Sequence, residues 1–595
     1  MSIFRSRRLR GAAVALAAGS LILTGCSSGS SAGKKGEDTD FGDSSAQSQP
    51  ITYGDADASM GPADDVEGAT KGGTVRVYQQ TGFSHLDPGQ IYVSDAGQLA
   101  ILIHRGLTMV DEKDDGSKVI VGDLATNSGE MSDGGKTWTY TLKDGVKDED
   151  GDAITSEDIR HTFERLYSEV IFDGPSFIQK WLSGDDYRKQ LPNGDYDGDH
   201  LPDSVLETPD DKTVVFHFDK PQPDLPQALA MPGYTVVPKE DDTKKKYDQD
   251  PKTTGPYKIQ NYNAGKSMTL VRNENWDPET DPVRRAYPDK YKITFNHDDA
   301  DQTRRILADK GEAQRAIQFS GAVAAEMIRD VVTNAKDRTV AGYQPYVWQL
   351  NMNMDRLKDK KVRDAIAYAM PGPSVYGPEG GDYAGAVAPN LFAPTLPGHE
   401  AKYDPYDRLD HPNGQPEKAK KLLKEAGKEG MKLTYAYANT DVRQKQAVVI
   451  STALEEAGFD VQKKAVNSQT WYEQVGKVDN GLDVYMTGWG QDWPSPSTVI
   501  PPVYDGDAIA NGASNYSHVD DPKVNKDIDR ILKMQDPEKA NKEWVKTHHY
   551  MMEKVNPVVP LYYTKTIQMF GSKIGGAKFS TVKSYIDLNQ VYVKK

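Results

Sequence analysis

Two stretches of this chain gather side chains that could do chemistry. The first is Gly488-Trp489-Gly490-Gln491-Asp492-Trp493-Pro494-Ser495-Pro496. It places one carboxylate, Asp492, among indoles and ahead of two prolines, which fix φ and stiffen the segment. With Trp471 upstream, these rings offer flat surfaces that stack on peptide planes or sugar faces, or attract a cation. Taken alone, Asp492 fits an N-cap or Asx-turn equally well, and Trp493 fits plain packing. The second stretch is Asp195-Tyr196-Asp197-Gly198-Asp199-His200-Leu201-Pro202-Asp203. Oxygen ligands at Asp195, Asp197, Asp199 and Asp203 around a glycine turn suit Ca²⁺, although no glutamate closes the loop. A solvated acidic loop explains the same pattern. Asp148, Asp150 and Asp152 around Gly151 have a similar spacing and read as structural. The zinc helix and phosphate loop motifs of enzymes are not present in the sequence. His548-His549 would point to different faces of a helix, which makes a poor metal pair. The chemistry on offer is binding, with no cofactor required beyond an optional structural Ca²⁺.

The bulk properties narrow the partners. Of 595 residues, 88 are acidic and 72 basic, giving a formal net charge of −16. A phosphate backbone needs a basic surface, so nucleic acid is excluded as a partner. The single cysteine, Cys26, follows Leu23-Thr24-Gly25. Behind Arg5, Arg7, Arg8 and Arg10 lies an apolar run, 12–24, too short to span a bilayer. The segment resembles a bacterial lipoprotein signal. Cleavage before Cys26 and diacylation of its sulfur would anchor the chain to the outer face of the cytoplasmic membrane. The arginine pair leaves both general and twin-arginine export open. No later apolar run is long enough to cross a membrane, and no second thiol exists to form a disulfide.

The elements that must position these residues alternate between strand and helix. Residues 26–70, rich in Ser, Gly, Asp and Ala, read as a disordered tether. The body begins with a strand at 74–78. Periodicity predicts helices over 157–167, with Ser156 as N-cap, over 361–370 and over 416–426. It predicts strands over 214–218 and 483–487. Residues 185–211 form an acidic insertion, and 371–413, dense in Pro and Gly, form a long surface excursion. The mixture is an α/β body.

Six blocks, in order, resemble the extracytoplasmic solute-binding proteins of peptide-type ABC importers, family 5. They are Gly72-Gly73-Thr74-Val75 with Leu86-Asp87-Pro88; Leu142-Lys143-Asp144-Gly145-Val146 through Thr162-Phe163-Glu164-Arg165; Thr254-Gly255-Pro256-Tyr257 with Arg272-Asn273-Glu274-Asn275-Trp276; Asn351; Val362-Arg363-Asp364-Ala365-Ile366-Ala367-Tyr368-Ala369; and the 488–496 block. The chain departs from the family at Pro371-Gly372-Pro373, which breaks a helix that many relatives continue.

The resemblance implies a two-lobed, periplasmic-binding-protein-like α/β fold of type II with an enlarged, subdivided first lobe. Lobe I would cover 71–343, with an inserted subdomain near 95–210, and take back 561–595. Lobe II would cover 344–560, and crossings near 343–350 and 560–564 would form a hinge. The implied function is a monomeric, lipid-anchored receptor that captures oligopeptides and hands them to a permease and its ATPase. Oligosaccharide or metal-chelate receptors of the same family, or a surface interaction protein keeping the fold, are the alternatives. By the same resemblance Asp492 pairs with the ligand's α-ammonium, and Trp471 and Trp489 face the cleft. The backbone of Tyr92, Val93 and Ser94 would meet an extended ligand like an added strand. Some relatives place an arginine where this chain has Met486, so Lys477 is the remaining candidate for a ligand carboxylate.

Overall fold

The computed structural model describes residues 51–595. Cys26, the signal-like segment and the first half of the expected tether lie outside the described residues. The first sheet has five strands, in the order Ala316–Gln318, Thr74–Tyr78, Lys290–Thr294, Ser267–Arg272, Tyr257–Asn263. Thr74–Tyr78 runs parallel to both neighbours, with Val77 opposite Ile293 and Ile317. Its alternation does the sorting: Val75 and Val77 enter the core beside Leu99, Ile103 and Leu270.

A second core runs from Leu107 to Val236 and takes in Trp493 from far along the chain. It packs under the four-stranded sheet Glu130–Ser132, Thr137–Thr141, Thr213–His217, Leu206–Asp210. The helix over Ser156–Arg165 covers it with Ile159 and Phe163. Its cap is Thr155, one residue before the expected Ser156, because Asp158 three residues on completes a capping box with Thr155.

The expected tether is too long at its C-terminal end. Thr52–Tyr53 adds a strand parallel to Lys118–Gly122. Ile51 is buried, and the buried Ser59 hydroxyl accepts from the Gly122 amide at 2.9 Å. The Tyr53 hydroxyl donates to the Pro223 carbonyl, and the Val66 amide to the Tyr287 hydroxyl. Composition hides this because a few anchoring residues are enough to fix a Ser- and Asp-rich strand to a sheet edge.

Two long antiparallel strands, Thr339–Met352 and Val558–Met569, run from the first body into a second. At one end their residues pack with Ile306, Ala316 and Val331; at the other they enter the core that holds Ala365, Ile450 and Val484. There they are the central strands of a six-stranded sheet, in the order Gly385–Val387, Val558–Met569, Thr339–Met352, Val484–Gly490, Lys432–Ala438, Asp460–Val466. Their mutual pairing breaks between Tyr343 and Val347. That break leaves Gln344, Pro345 and Tyr346 free to face the space between the bodies. The 371–413 excursion supplies a short helix, Pro373–Tyr376, and the edge strand Gly385–Val387.

Candidate functional site

A cavity of about 620 Å³ opens between the two bodies. Tyr92, Ser94, Ser584 and Tyr585 line it from the first body, Tyr472, Trp489, Asp492 and Tyr516 from the second, and Gln344–Tyr346 from the crossing strand. A further cavity of about 230 Å³ shares Tyr92, Ser94, Gln491, Asp492 and Ser584 with it and reaches Val93, Trp493 and Lys583. The two form one cleft.

The Gly-Trp-Gly spacing has a steric cause. Tyr346 sits opposite Gly490 in the ladder. A Cβ on Gly488 would lie 2.1 Å from the Tyr346 ring, and one on Gly490 2.9 Å from it. The two glycines therefore form a bed for the tyrosine, and Trp489 between them points the other way. The Trp489 indole donates to the Thr498 carbonyl at 2.8 Å, which ties the strand to the loop after Asp492.

Asp492 has one hydrogen-bond partner in this structure, the Tyr92 hydroxyl, 2.5 Å away across the cleft. Burial pushes its carboxyl up to about 6, against a downward pull from that hydroxyl. No lysine or arginine among the described residues pairs with it. A half-buried carboxylate without a cation holds back a charge for something that arrives later.

The Tyr92 loop is fixed from behind. Asp87 accepts from the Gly89 amide at 3.0 Å and takes both ends of the Arg165 guanidinium, at 2.9 and 2.8 Å. Asp248 accepts from the amides of Leu86 and Asp87. Arg165 also reaches Asp242, which meets His161 at 3.0 Å. The Leu86-Asp87-Pro88 and Thr162-Phe163-Glu164-Arg165 blocks are thus the two halves of one buried clamp. Val93 is extended and exposed, but Ser94 already begins the helix Ser94–Ile103. Only the first part of the expected backbone platform is therefore extended.

Several expected site residues lie elsewhere. Trp471 is buried among Ala436, Val475, Leu482 and Tyr485, away from the cleft, and its neighbour Tyr472 lines the cavity instead. Lys477 pairs with Glu473 at 3.0 Å on the surface and is absent from the lining. Met486 is buried in the second body's core. Trp493 leaves its own body: it packs against Phe177 and Trp181, with ring centroids 5.1 and 6.0 Å away, and its indole donates to Asp224 at 3.2 Å. It touches the edge of the cleft but chiefly joins the two bodies.

The acidic loop does not gather four carboxylates. Asp195 pairs with His161 at 2.8 Å, Asp197 accepts from Asn193, and Asp203 pairs with Arg160 at 3.1 Å. The groups that approach Asp195 are Glu164 and His200. Glu164 is itself occupied by Arg160, His200 and the Leu201 amide. The turn at Gly198 spends its acids on a histidine, an amide and an arginine, and Asp199 joins no cluster among the described residues. Asp148 accepts from the amides of Asp150, Gly151 and Asp152, a turn made by one carboxylate.

Sequence reasoning missed Tyr346, Tyr516, Ser584 and Tyr585. Tyr346 had a signal, the pair of glycines that accommodates it. Ser584 and Tyr585 come from a distant turn, where Ser584 has φ +66°, and no local pattern marks them.

A profile described as bacterial extracellular solute-binding proteins, family 5, middle region, matches residues 119–511. The dipeptide-binding protein of Escherichia coli K12 is 28% identical over 416 residues, covering 65% of this chain and 71% of its own. The periplasmic oligopeptide-binding protein of Salmonella typhimurium is 23% identical over 487 residues, 77% of this chain and 81% of its own. The solved structure titled clavulanic acid biosynthesis oligopeptide binding protein 2 aligns with TM-score 0.80 and 26% identity, over 92% of this chain and 100% of that one. The family is one of solute-binding proteins rather than enzymes, and no described helix is long and apolar enough to cross a membrane. The chain belongs to the bacterial extracellular solute-binding proteins of family 5.

Proposed function

We propose that this chain is the substrate-binding component of an ABC importer that captures oligopeptides between its two bodies and delivers them to a membrane permease and its ATPase. The observation that carries the reading is Asp492, a carboxylate held in a cleft of about 620 Å³ with no cation of the described residues paired to it. A peptide's α-ammonium supplies the missing counter-charge and displaces the Tyr92 hydroxyl. Extended backbone at Val93 and the flat rings of Trp489 and Tyr346 suit a peptide main chain of mixed sequence, because neither reads side chains. Relatives named for dipeptide and oligopeptide binding support the ligand class. Lipidation of Cys26 would hold the receptor near its permease and raise its effective concentration there. The receptor acts as a monomer in this reading.

Titration calorimetry of the mature protein with short peptide mixtures tests it. Free amino termini should bind, and acetylated ones should lose nearly all affinity. Equal affinity for both would refute the role of Asp492. Labelling cells with a radioactive fatty acid, with Cys26→Ala as control, tests the anchor.

A further inference from the structure

A zwitterionic peptide brings two charges into the cleft, and the cleft provides for one. Asp492 and Lys583 are the charged residues lining its two described parts. Lys583 is nearly buried and already paired with Asp587 at 2.7 Å. On the wall behind Tyr346 stands Arg443, its guanidinium carbon 3.6 Å over the Trp348 ring, which lies 5.4 Å from the Tyr346 ring. Arg443 is absent from the cleft lining, and Glu379 holds it at 2.9 Å together with Gln446 and the Tyr562 hydroxyl. The Tyr562 hydroxyl secures Glu379 in turn, at 2.7 Å. Glu379 comes from the Pro/Gly excursion that begins at Pro371-Gly372-Pro373, the segment in which this chain departs from its family. The excursion thus sets an intrachain carboxylate on the cation of that wall.

The rest of the lining suits a cation. Six aromatic side chains, Tyr92, Tyr346, Tyr472, Trp489, Tyr516 and Tyr585, surround Asp492. Their faces attract ammonium and guanidinium groups and offer a carboxylate nothing but hydroxyl donors. A carboxylate drawn into such a site without a cation is left desolvated and unpaired.

We infer that this cleft selects peptides with a cationic head and an uncharged far end, such as carboxyl-terminal amides, over ordinary peptides with a free carboxylate. The inference rests on the peptide reading above and narrows it.

The test is competitive retention. The mature full-length protein is incubated with equimolar random tetrapeptide libraries, one made as free acids and one as carboxyl-terminal amides. Retained peptides are released and counted by mass spectrometry. Amides should be enriched about tenfold or more, the scale on which one unpaired charge alters affinity. Free acids retained equally or better would overturn the inference and leave the peptide reading standing. Retention of neither library would overturn the peptide reading and the inference with it. Glu379→Gln removes the carboxylate from Arg443, leaving it with Gln446 and the Tyr562 hydroxyl, and should raise free-acid retention about tenfold, with amide retention unchanged. An unchanged ratio in Glu379→Gln would overturn the role given to Glu379.

Discussion

Asp281 is a fully buried aspartate and Asp492 a half-buried one, and the protein treats them in opposite ways. Asp281 meets Arg284 at 3.0 Å and lies within 3.9 Å of Arg105, and the same two arginines also hold Asp123. Burial alone would raise its carboxyl, but the two guanidiniums and the Val283 and Arg284 amides bring it down to about 2. Asp492 has a tyrosine hydroxyl and no cation, and burial takes it up to about 6. The scaffold thus neutralises its own charges where it must be rigid. It leaves one charge open where a ligand has to complete the site, which separates a structural carboxylate from a binding one on physical grounds.

The sharpest way to break this comparison is to take the cations away from the structural side. Arg284→Ala leaves Arg105 as the one guanidinium shared by Asp123 and Asp281 in the interior and should cost about 3–5 kcal/mol of stability. Denaturant unfolding measures this, and a loss under about 1 kcal/mol would mean water replaces the arginine easily. The converse change, Asp492→Asn, keeps the shape and removes the charge. Stability should hold or rise slightly, while affinity for peptides with free amino termini falls about 100-fold, or about 3 kcal/mol. If Asp492→Asn unfolds the protein instead, Asp492 belongs with Asp281. A third substitution acts on the contact between the bodies. Trp493→Ala empties the slot between Phe177 and Trp181 and removes the indole's hydrogen bond to Asp224, so bound peptide should dissociate on the order of tenfold faster in stopped-flow measurements.

The same contrast explains what could be read from sequence. The 488–496 block named Asp492 and Trp489 because the residues that shape the site there are adjacent in the chain. The clamp on Tyr92 lay in two recognisable blocks, yet nothing local says that Arg165 reaches Asp87, 78 residues away. Trp471 was misplaced because an indole's type does not tell which face of a short helix it occupies; Tyr472, one residue on, faces the cleft. The four aspartates of 195–203 had the spacing of a calcium loop, but His161, Arg160 and Asn193, distant or unremarkable in sequence, claim three of them. The strand at Thr52–Tyr53 was invisible because its stability comes from a partner strand more than 60 residues further on.

Proton linkage separates the two aspartates by sign. Asp281, depressed below its unfolded value, contributes stability that is present above about pH 4 and is lost as pH falls through about 2. Asp492, raised above its unfolded value, favours the folded, ligand-free state more as pH falls from about 6 toward 4. Binding follows the ionised form, so affinity for a cationic peptide should be level above about pH 7. Well below pH 6 it should approach a tenfold loss per unit. Calorimetry between pH 4.5 and 8 would show this, and a flat profile would mean that Asp492 is ionised throughout and that its isolation from cations has no consequence. Tyr92→Phe then tests the last element. Its hydroxyl is the group that pulls the Asp492 carboxyl down, so removing it should move the midpoint of that profile upward by up to about one unit. A downward shift would mean that water entering the opened cleft solvates Asp492 better than the tyrosine does.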